Sequence, residues 1–296
     1  MADQPLRERP AAERTRDQTY PPQPEPLRTP VLDSHCHLDI RDGEAWMSVD
    51  DALAAATAAG VPRIVQIGCD LPGARWAVDV ATRYVGAIVA GVALHPNEAP
   101  RIESTHGRRA LEDAWDEIDA LAAHDRVRAV GETGLDHFRT SDVHGRTVQE
   151  ESFRRHVAMA KAHDKALVIH DRDAHDVVLR VLASEGAPRT VVLHCFSGDA
   201  ALARTCVDNG WVLSFAGTVT FKNAGTLRDA LAVTPLDQLL VETDAPFLTP
   251  TPYRGRPNAS YLVPLTVRAM AVVKGVPEDE LAAAIDATGT RVFGTF

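Results

Sequence analysis

The chain has no surplus of basic residues, no apolar run of transmembrane length and no paired cysteines, and each absence removes a class of protein. Its 31 Lys and Arg stand against 41 Asp and Glu, a formal net charge of −10 with a pI near 5.6. A surface that coats a polyanion needs basic patches, so broad nucleic-acid coating is excluded. A local phosphate site is not, because a bound metal can be the dominant positive charge there. The four cysteines (Cys36, Cys69, Cys195 and Cys206) show no C-x-x-C spacing, which predicts reduced core thiols rather than a disulfide framework. No stretch approaches the roughly 20 apolar residues of a membrane span, and the first residues lack the hydrophobic segment of a signal peptide. The expectation is a cytoplasmic chain with no membrane partner and no obligatory protein partner.

Apolar residues make up 45% of the 296, enough for the core of one large α/β domain or two smaller ones. Residues 1–30 are rich in Pro, Arg, Glu and Gln and nearly free of β-branched and aromatic residues, a composition that predicts a disordered tail. From Val31 the pattern changes. Apolar runs at residues 31–32, 63–68, 87–94, 127–131, 166–169, 190–193, 211–215 and 238–241 alternate with amphipathic helical patterns. The helical patterns include residues 48–59, 75–84, 111–124, 149–163, 176–184 and 200–209. Continuous apolar strands separated by helices indicate a parallel sheet covered on both faces. About eight such units in one domain's length predict an α/β protein with a (β/α)8 TIM barrel spanning residues 31–296. A doubly wound open sheet would want a Gly-rich phosphate turn after its first strand. Ser34-His35-Cys36-His37 stands there instead.

Active sites of such barrels lie at the C-terminal ends of the strands, so the polar residues that close each apolar run are the candidates. Positions i and i+2 of a strand point to one side, so His35 and His37 project together. Glu132 ends the fourth run, His170 the fifth, His194 the sixth, and Glu242-Thr243-Asp244 the eighth. A lone histidine or aspartate at such a place is ordinarily a cap or a hydrogen-bonded residue. Four histidines and two carboxylates meeting at one barrel mouth are not explained that way, because unpaired buried polar groups cost a few kcal/mol each. A mixed imidazole–carboxylate set suits Zn²⁺, Mn²⁺ or Mg²⁺ with open positions. Six ligands fit two divalent metal ions that share a bridging carboxylate.

The residues at these strand ends are similar to those of the TatD-like metal-dependent deoxyribonucleases, within the amidohydrolase superfamily. The resemblance rests on Asp33-Ser34-His35-Cys36-His37, Gly91-Val92-Ala93-Leu94-His95-Pro96, Gly131-Glu132-Thr133-Gly134-Leu135-Asp136 and Leu193-His194-Cys195-Phe196-Ser197-Gly198. The stretch from Ser214 to Ala224 and Glu242-Thr243-Asp244-Ala245-Pro246 complete the set, in order along the chain. One departure follows Arg254-Gly255, where Pro257-Asn258-Ala259-Ser260 replaces an Asn-Glu-Pro-like run. The resemblance implies that His35, His37 and Asp244 hold one metal and His170 and His194 the other, with Glu132 bridging. It also places the chain nearer the phosphodiesterase branch, because many amide-cleaving relatives carry a carbamylated lysine where Glu132 stands.

Divalent metals lower the pKa of bound water toward neutrality, which supplies a nucleophile for phosphodiester cleavage. Asp244 is the candidate general base. His95, Arg172, Lys222 and Arg254, with Arg256 as a weaker candidate, follow strand ends or sit on late loops where they could contact substrate or its phosphate oxygens. Asp136 could orient a ligand or its loop, and Phe138 and Tyr253 could stack on a base. The expected activity is a 3′-to-5′ exonuclease acting on single-stranded DNA ends. The alternative keeps the metals and cleaves an ester or amide, such as a D-aminoacyl-tRNA or a small cyclic amide.

Overall fold

In the computed structural model, which describes residues 4–9 and 16–296, the apolar runs become eight parallel strands. They are β1 (Leu32–Cys36), β2 (Arg63–Gly68), β3 (Ile88–Val92), β4 (Val127–Asp136), β5 (Ala166–Arg172), β6 (Val191–Leu193), β7 (Val212–Phe215) and β8 (Leu239–Val241). Each pairs in parallel with the next in sequence, the pairing that helical crossover connections allow. The ring closes just beyond β8, where Cys36 bridges Ala245 in parallel register. At that seam the His37 N–H donates to the Ala245 carbonyl at 2.8 Å and the Asp244 N–H to the His35 carbonyl at 2.9 Å. Buried Asp33 reinforces it, accepting from the Thr243 N–H at 2.9 Å and the Thr243 hydroxyl at 2.5 Å. The TIM barrel expected from the sequence is the fold of this chain.

Helices cover the strands. Between β1 and β6 lie α1 (Val49–Ala58), α2 (Leu71–Arg83), α3 (Glu98–His106), α4 (Arg108–Ala122), α5 (Val143–Ala162) and, after β5, α6 (His175–Glu185). The later ones are α7 (Ala200–Asp208), α8 (Gly225–Val233), α9 (Val263–Lys274) and α10 (Glu278–Phe293). Polar side chains set their starts: Asp70 accepts from the Gly73 N–H, Asp142 from the Gly145 N–H and Asp199 from the Leu202 N–H. The Asp142 cap begins α5 six residues before the periodic pattern at 149–163 indicates, since a polar first turn carries no apolar stripe. Wholly buried Trp115 and Phe153 fill the layer between helices and sheet. Among the described residues, no helix is long and apolar enough to cross a membrane.

Residues 16–30 differ from the solvated tail that their composition predicts. Leu27 is 5% exposed and its N–H donates to the Ala59 carbonyl. The carbonyls of Pro21, Glu25 and Thr19 accept from Tyr261, Arg268 and Arg256 in turn. The barrel supplies the partners that this segment lacks on its own, which a reading of the segment's own composition does not capture. Residues 1–3 and 10–15 of the expected tail lie outside the described residues.

Buried His156 ties α5 to the strands that carry the site. Its Nε2 accepts from the Leu94 N–H at 3.4 Å, so its Nδ1–H is the donor to the Thr133 hydroxyl at 2.7 Å. Burial pushes its pKa down to about 3. As pH falls below about 6.5 the unfolded imidazole takes a proton that the folded one refuses, so this group lowers stability progressively toward the folded value. We predict that metal-free His156→Asn melts lower than wild type at neutral pH, yet loses Tm less steeply on acidification from about pH 6.5 to 4.5. Thermal melts across that range check it, and parallel slopes would contradict the assignment.

Candidate metal centre

Glu132 stands at the middle of the barrel mouth because β4 changes register there. Pairing of β4 with β5 is regular to Val130↔Leu167 and resumes at Thr133↔Ile169, leaving Gly131 and Glu132 in a bulge that re-aims the carboxylate inward. The close strand approach beyond it requires Gly134, at φ +125°, where a Cβ would collide with the His170 carbonyl. Glu132 is 4% exposed.

The two carboxylate oxygens of Glu132 face different imidazoles. Oε2 lies 3.6 Å from His35 Nε2 and 4.0 Å from His37 Nε2. Oε1 lies 2.7 Å from His170 Nδ1, 2.8 Å from His194 Nε2 and 3.5 Å from His95 Nε2. Asp244 joins the first group, its Oδ1 3.4 Å from His37 Nε2 and 3.8 Å from His35 Nε2. The structure thus brings His35, His37, Glu132, His170, His194 and Asp244 to one place. It also sets His95 against Glu132 and His170, among the donors.

This donor set fits divalent cations. The ligand atoms of His35, His37 and Glu132 lie within 4.8 Å of one another, as do those of His95, Glu132 and His170. Both ring nitrogens of His35 and Nε2 of His170 are buried without a hydrogen-bond partner among the described residues. Buried polar atoms in that state are costly unless something binds them. Burial alone would raise the Glu132 carboxyl, yet the neighbouring imidazoles, His194 foremost, hold it well below the usual carboxylate range. Burial likewise opposes charge on His194, but Glu132 and Glu242 raise its pKa well above the ordinary value. The protein gathers buried carboxylates and imidazoles here, an arrangement that favours binding of a cation.

Sequence reasoning names Glu242 at the end of the eighth run but gives it no role. It is fully buried behind the histidines, with Oε1 accepting from the Cys195 N–H at 2.8 Å and lying 3.2 Å from His194 Nδ1. Stacked His35 and His194, with ring centroids 3.9 Å apart, share it as a neighbour. A carboxylate behind a ligating imidazole fixes the tautomer and the ring orientation. Its position at i−2 from Asp244 was the available signal, the same spacing that singles out His35 and His37. Asp136 sits 3.5 Å from His170 Nε2 and accepts from Asn97 and from the Arg139 N–H.

A cavity of about 680 Å³ opens over the centre. His95 and Arg172 line it, with Arg172 held 3.9 Å over the Phe138 ring. Lys222 and Arg254 are exposed and stand outside the lining, Arg254 lying 4.4 Å over Phe221. Arg256 donates to the carbonyls of Thr19 and Tyr20, so its fork is spent on the N-terminal segment. Proximity in sequence to a late strand end did not carry these three side chains into the pocket.

A closed parallel barrel with imidazoles and carboxylates gathered at the C-terminal strand ends defines a barrel protein of the metal-hydrolase class. Comparison with known proteins gives the family. The chain belongs to the TatD-related DNases, whose family profile matches residues 32–294. It is 45% identical over 267 residues to the uncharacterized metal-dependent hydrolase TatD of Mycobacterium tuberculosis, covering 89% of this chain and 98% of that protein. Similarity to the uncharacterized metal-dependent hydrolase YcfH of Escherichia coli is 38% over 268 residues, 89% of this chain and 95% of the relative. The crystal structure of the TatD homologue YJJV from Escherichia coli superposes with a TM-score of 0.78 at 28% identity, covering 90% of this chain and 98% of that one. An organophosphorus hydrolase from Deinococcus radiodurans, at 14% identity and a TM-score of 0.58, shares the fold.

Because both donor groups meet at Glu132, Glu132→Ala should lower metal content at both positions together. Metal analysis by mass spectrometry after equilibration with Mn²⁺ measures this. Two full equivalents in the variant would show that Glu132 does not join the two groups.

Proposed function

We propose that this metal-dependent hydrolase of the TatD family cleaves phosphodiester bonds of DNA, removing nucleotides from single-stranded 3′ ends. The observation that carries the reading is the division of Glu132 between two imidazole groups. In this reading His35, His37 and Asp244 would hold one divalent ion and His170 and His194 the other, with the Glu132 carboxylate facing both groups. Ions held there, Mg²⁺, Mn²⁺ or Zn²⁺, acidify water and neutralise charge on the phosphoryl oxygens.

The chain's own groups supply the rest. Asp244 accepts the proton of the attacking water: burial disfavours its anion, but His37 and His35 lower its pKa, so the carboxylate is free to act as base at neutral pH. Arg172 reaches a non-bridging phosphate oxygen from the cavity wall, and exposed Phe138 beneath it offers a ring for a base to stack on. A pocket of about 680 Å³ is in the range that holds a ligand of drug or nucleotide size. It admits a frayed terminal nucleotide more readily than a stiff internal duplex. With a net charge of −10 the surface gives little non-specific grip on a polyanion, which also favours ends.

Asp244→Asn should reduce turnover by about 10²-fold or more while the protein stays folded, since the amide keeps the shape but takes no proton. A variant that keeps more than about a tenth of the wild-type rate, well short of a general base's usual contribution, would move the base elsewhere. The substrate assignment is tested with linear and covalently closed circular single-stranded DNA in Mg²⁺ or Mn²⁺. Linear DNA should yield mononucleotides and the circle should survive. Oligonucleotide intermediates from the circle would overturn end-specific action, and turnover confined to ester or amide substrates would overturn the nuclease reading altogether.

A further inference from the structure

One wall of the pocket comes from outside the stretch that matches the family. Residues Arg7–Glu8 form a parallel two-residue ladder with Ile40–Arg41, and Arg7, Glu8 and Arg9 line the cavity over the metal centre. The arm is fixed from both ends. The Leu6 N–H and Arg9 N–H donate to the carbonyls of Asp39 and Arg41 at 2.9 and 2.8 Å. The Arg7 guanidinium meets fully buried Asp39 at 2.6 Å. Arg9 Nη1 donates to Asp42 at 3.2 Å and to the Pro246 carbonyl at 3.2 Å.

Arg7 and Arg9 differ in what remains of their charge. Arg7 is matched by Asp39, with Asp70 3.8 Å away. Asp42, fully buried, is shared by Arg9 and Arg16, so two guanidiniums face one carboxylate and one positive charge is left over. Arg9 is the one that faces the pocket. Its guanidinium lies 5.0 Å over the Phe247 ring, and that ring meets His37 edge-on at 6.2 Å. Its Nε and Nη2 have no partner among the described residues. An aromatic face holds a guanidinium in place without neutralising it, which leaves its N–H edge available to an anion.

We propose that Arg9 is a substrate-binding residue of this site, holding a phosphate group of the substrate that flanks the scissile bond on the side of His37 and Asp244. The proposal deepens the phosphodiesterase reading by giving this chain an anion contact that lies outside the family-matched residues 32–294. Arg9 and Arg172 then approach the centre from different sides of the mouth, both among the residues that line the cavity.

The probe is inorganic phosphate, titrated calorimetrically into the Mn²⁺-loaded full chain. Arg9→Gln should weaken phosphate binding about tenfold, the range of a charge-assisted hydrogen bond. Arg9→Lys should recover part of that loss, and Arg180→Gln, remote on α6, should leave binding unchanged. Melting temperature and bound Mn²⁺ are measured in each variant. A merely structural role predicts a lower Tm for Arg9→Gln with phosphate affinity kept. Equal affinity in wild type and Arg9→Gln, or no phosphate binding by the wild type, overturns the proposal. If Arg9→Gln loses phosphate affinity while the wild type cleaves no phosphodiester, the nuclease reading falls and the anion site stands. Cleavage that is equally fast and equally tight in KM with Arg9→Gln overturns the anion site and leaves the nuclease reading intact.

Discussion

Glu132 is a single carboxylate within 4 Å of five imidazole rings, and most of what is unusual in this barrel serves to keep it there. An isolated anion at that depth would be expelled or protonated, because burial penalises the charged form. Neighbouring rings, His194 foremost with His95 and His170, reverse the balance, and the carboxyl ionises more readily than in water. The same reasoning runs backwards for the histidines. His35 keeps two buried nitrogens without partners, and burial lowers its pKa, so a proton is a poor occupant for it. A divalent cation would satisfy the carboxylate and the neutral ring at once.

The barrel's closure and its site are one piece of structure. The seam between β1 and the chain beyond β8 is made by backbone hydrogen bonds of His37 and Asp244, and Asp33 ties the same two segments through Thr243. Ligand geometry at that side therefore depends on the ring being closed, and a shift in the seam moves His35, His37 and Asp244 together. On the opposite side Glu132 depends on a bulge, so its direction is set by the β4–β5 register rather than by side-chain packing.

The distribution of chemistry along the strands was legible in the sequence where it followed strand periodicity. His35 and His37 at i and i+2, and Glu132, His170 and His194 as the first polar residues after apolar runs, all converge as expected. What was not legible depends on long-range contact. β4 reads as ending at Gly131, because a bulge and the sequence Glu-Thr-Gly look like a loop; the strand continues to Asp136 on pairing with β5. Lys222, Arg254 and Arg256 follow late strands in sequence, but their loops carry them to the rim or to the N-terminal segment. Residues 16–30 carry few apolar groups, and only the barrel's Tyr261, Arg256 and Arg268 reveal where they lie.

Two arginines that line the pocket share a feature that bears on the proposed anionic substrate. Arg9 sits over Phe247 and Arg172 over Phe138. On the outer surface other arginines meet carboxylates, as Arg75 does Glu117 and Arg101 does Glu98. A carboxylate partner cancels the charge and occupies the donor fork, whereas an aromatic face constrains the plane and leaves both the charge and the edge donors in place. Net charge is then a poor guide to local potential. In the proposed reading, the net charge of −10 gives polyanions little general grip, while two ring-supported guanidiniums, Arg9 and Arg172, line the pocket over the metal centre. Under the proposed nuclease reading, that division would favour a chain end over a chain body, since an end needs one such approach and a body needs many.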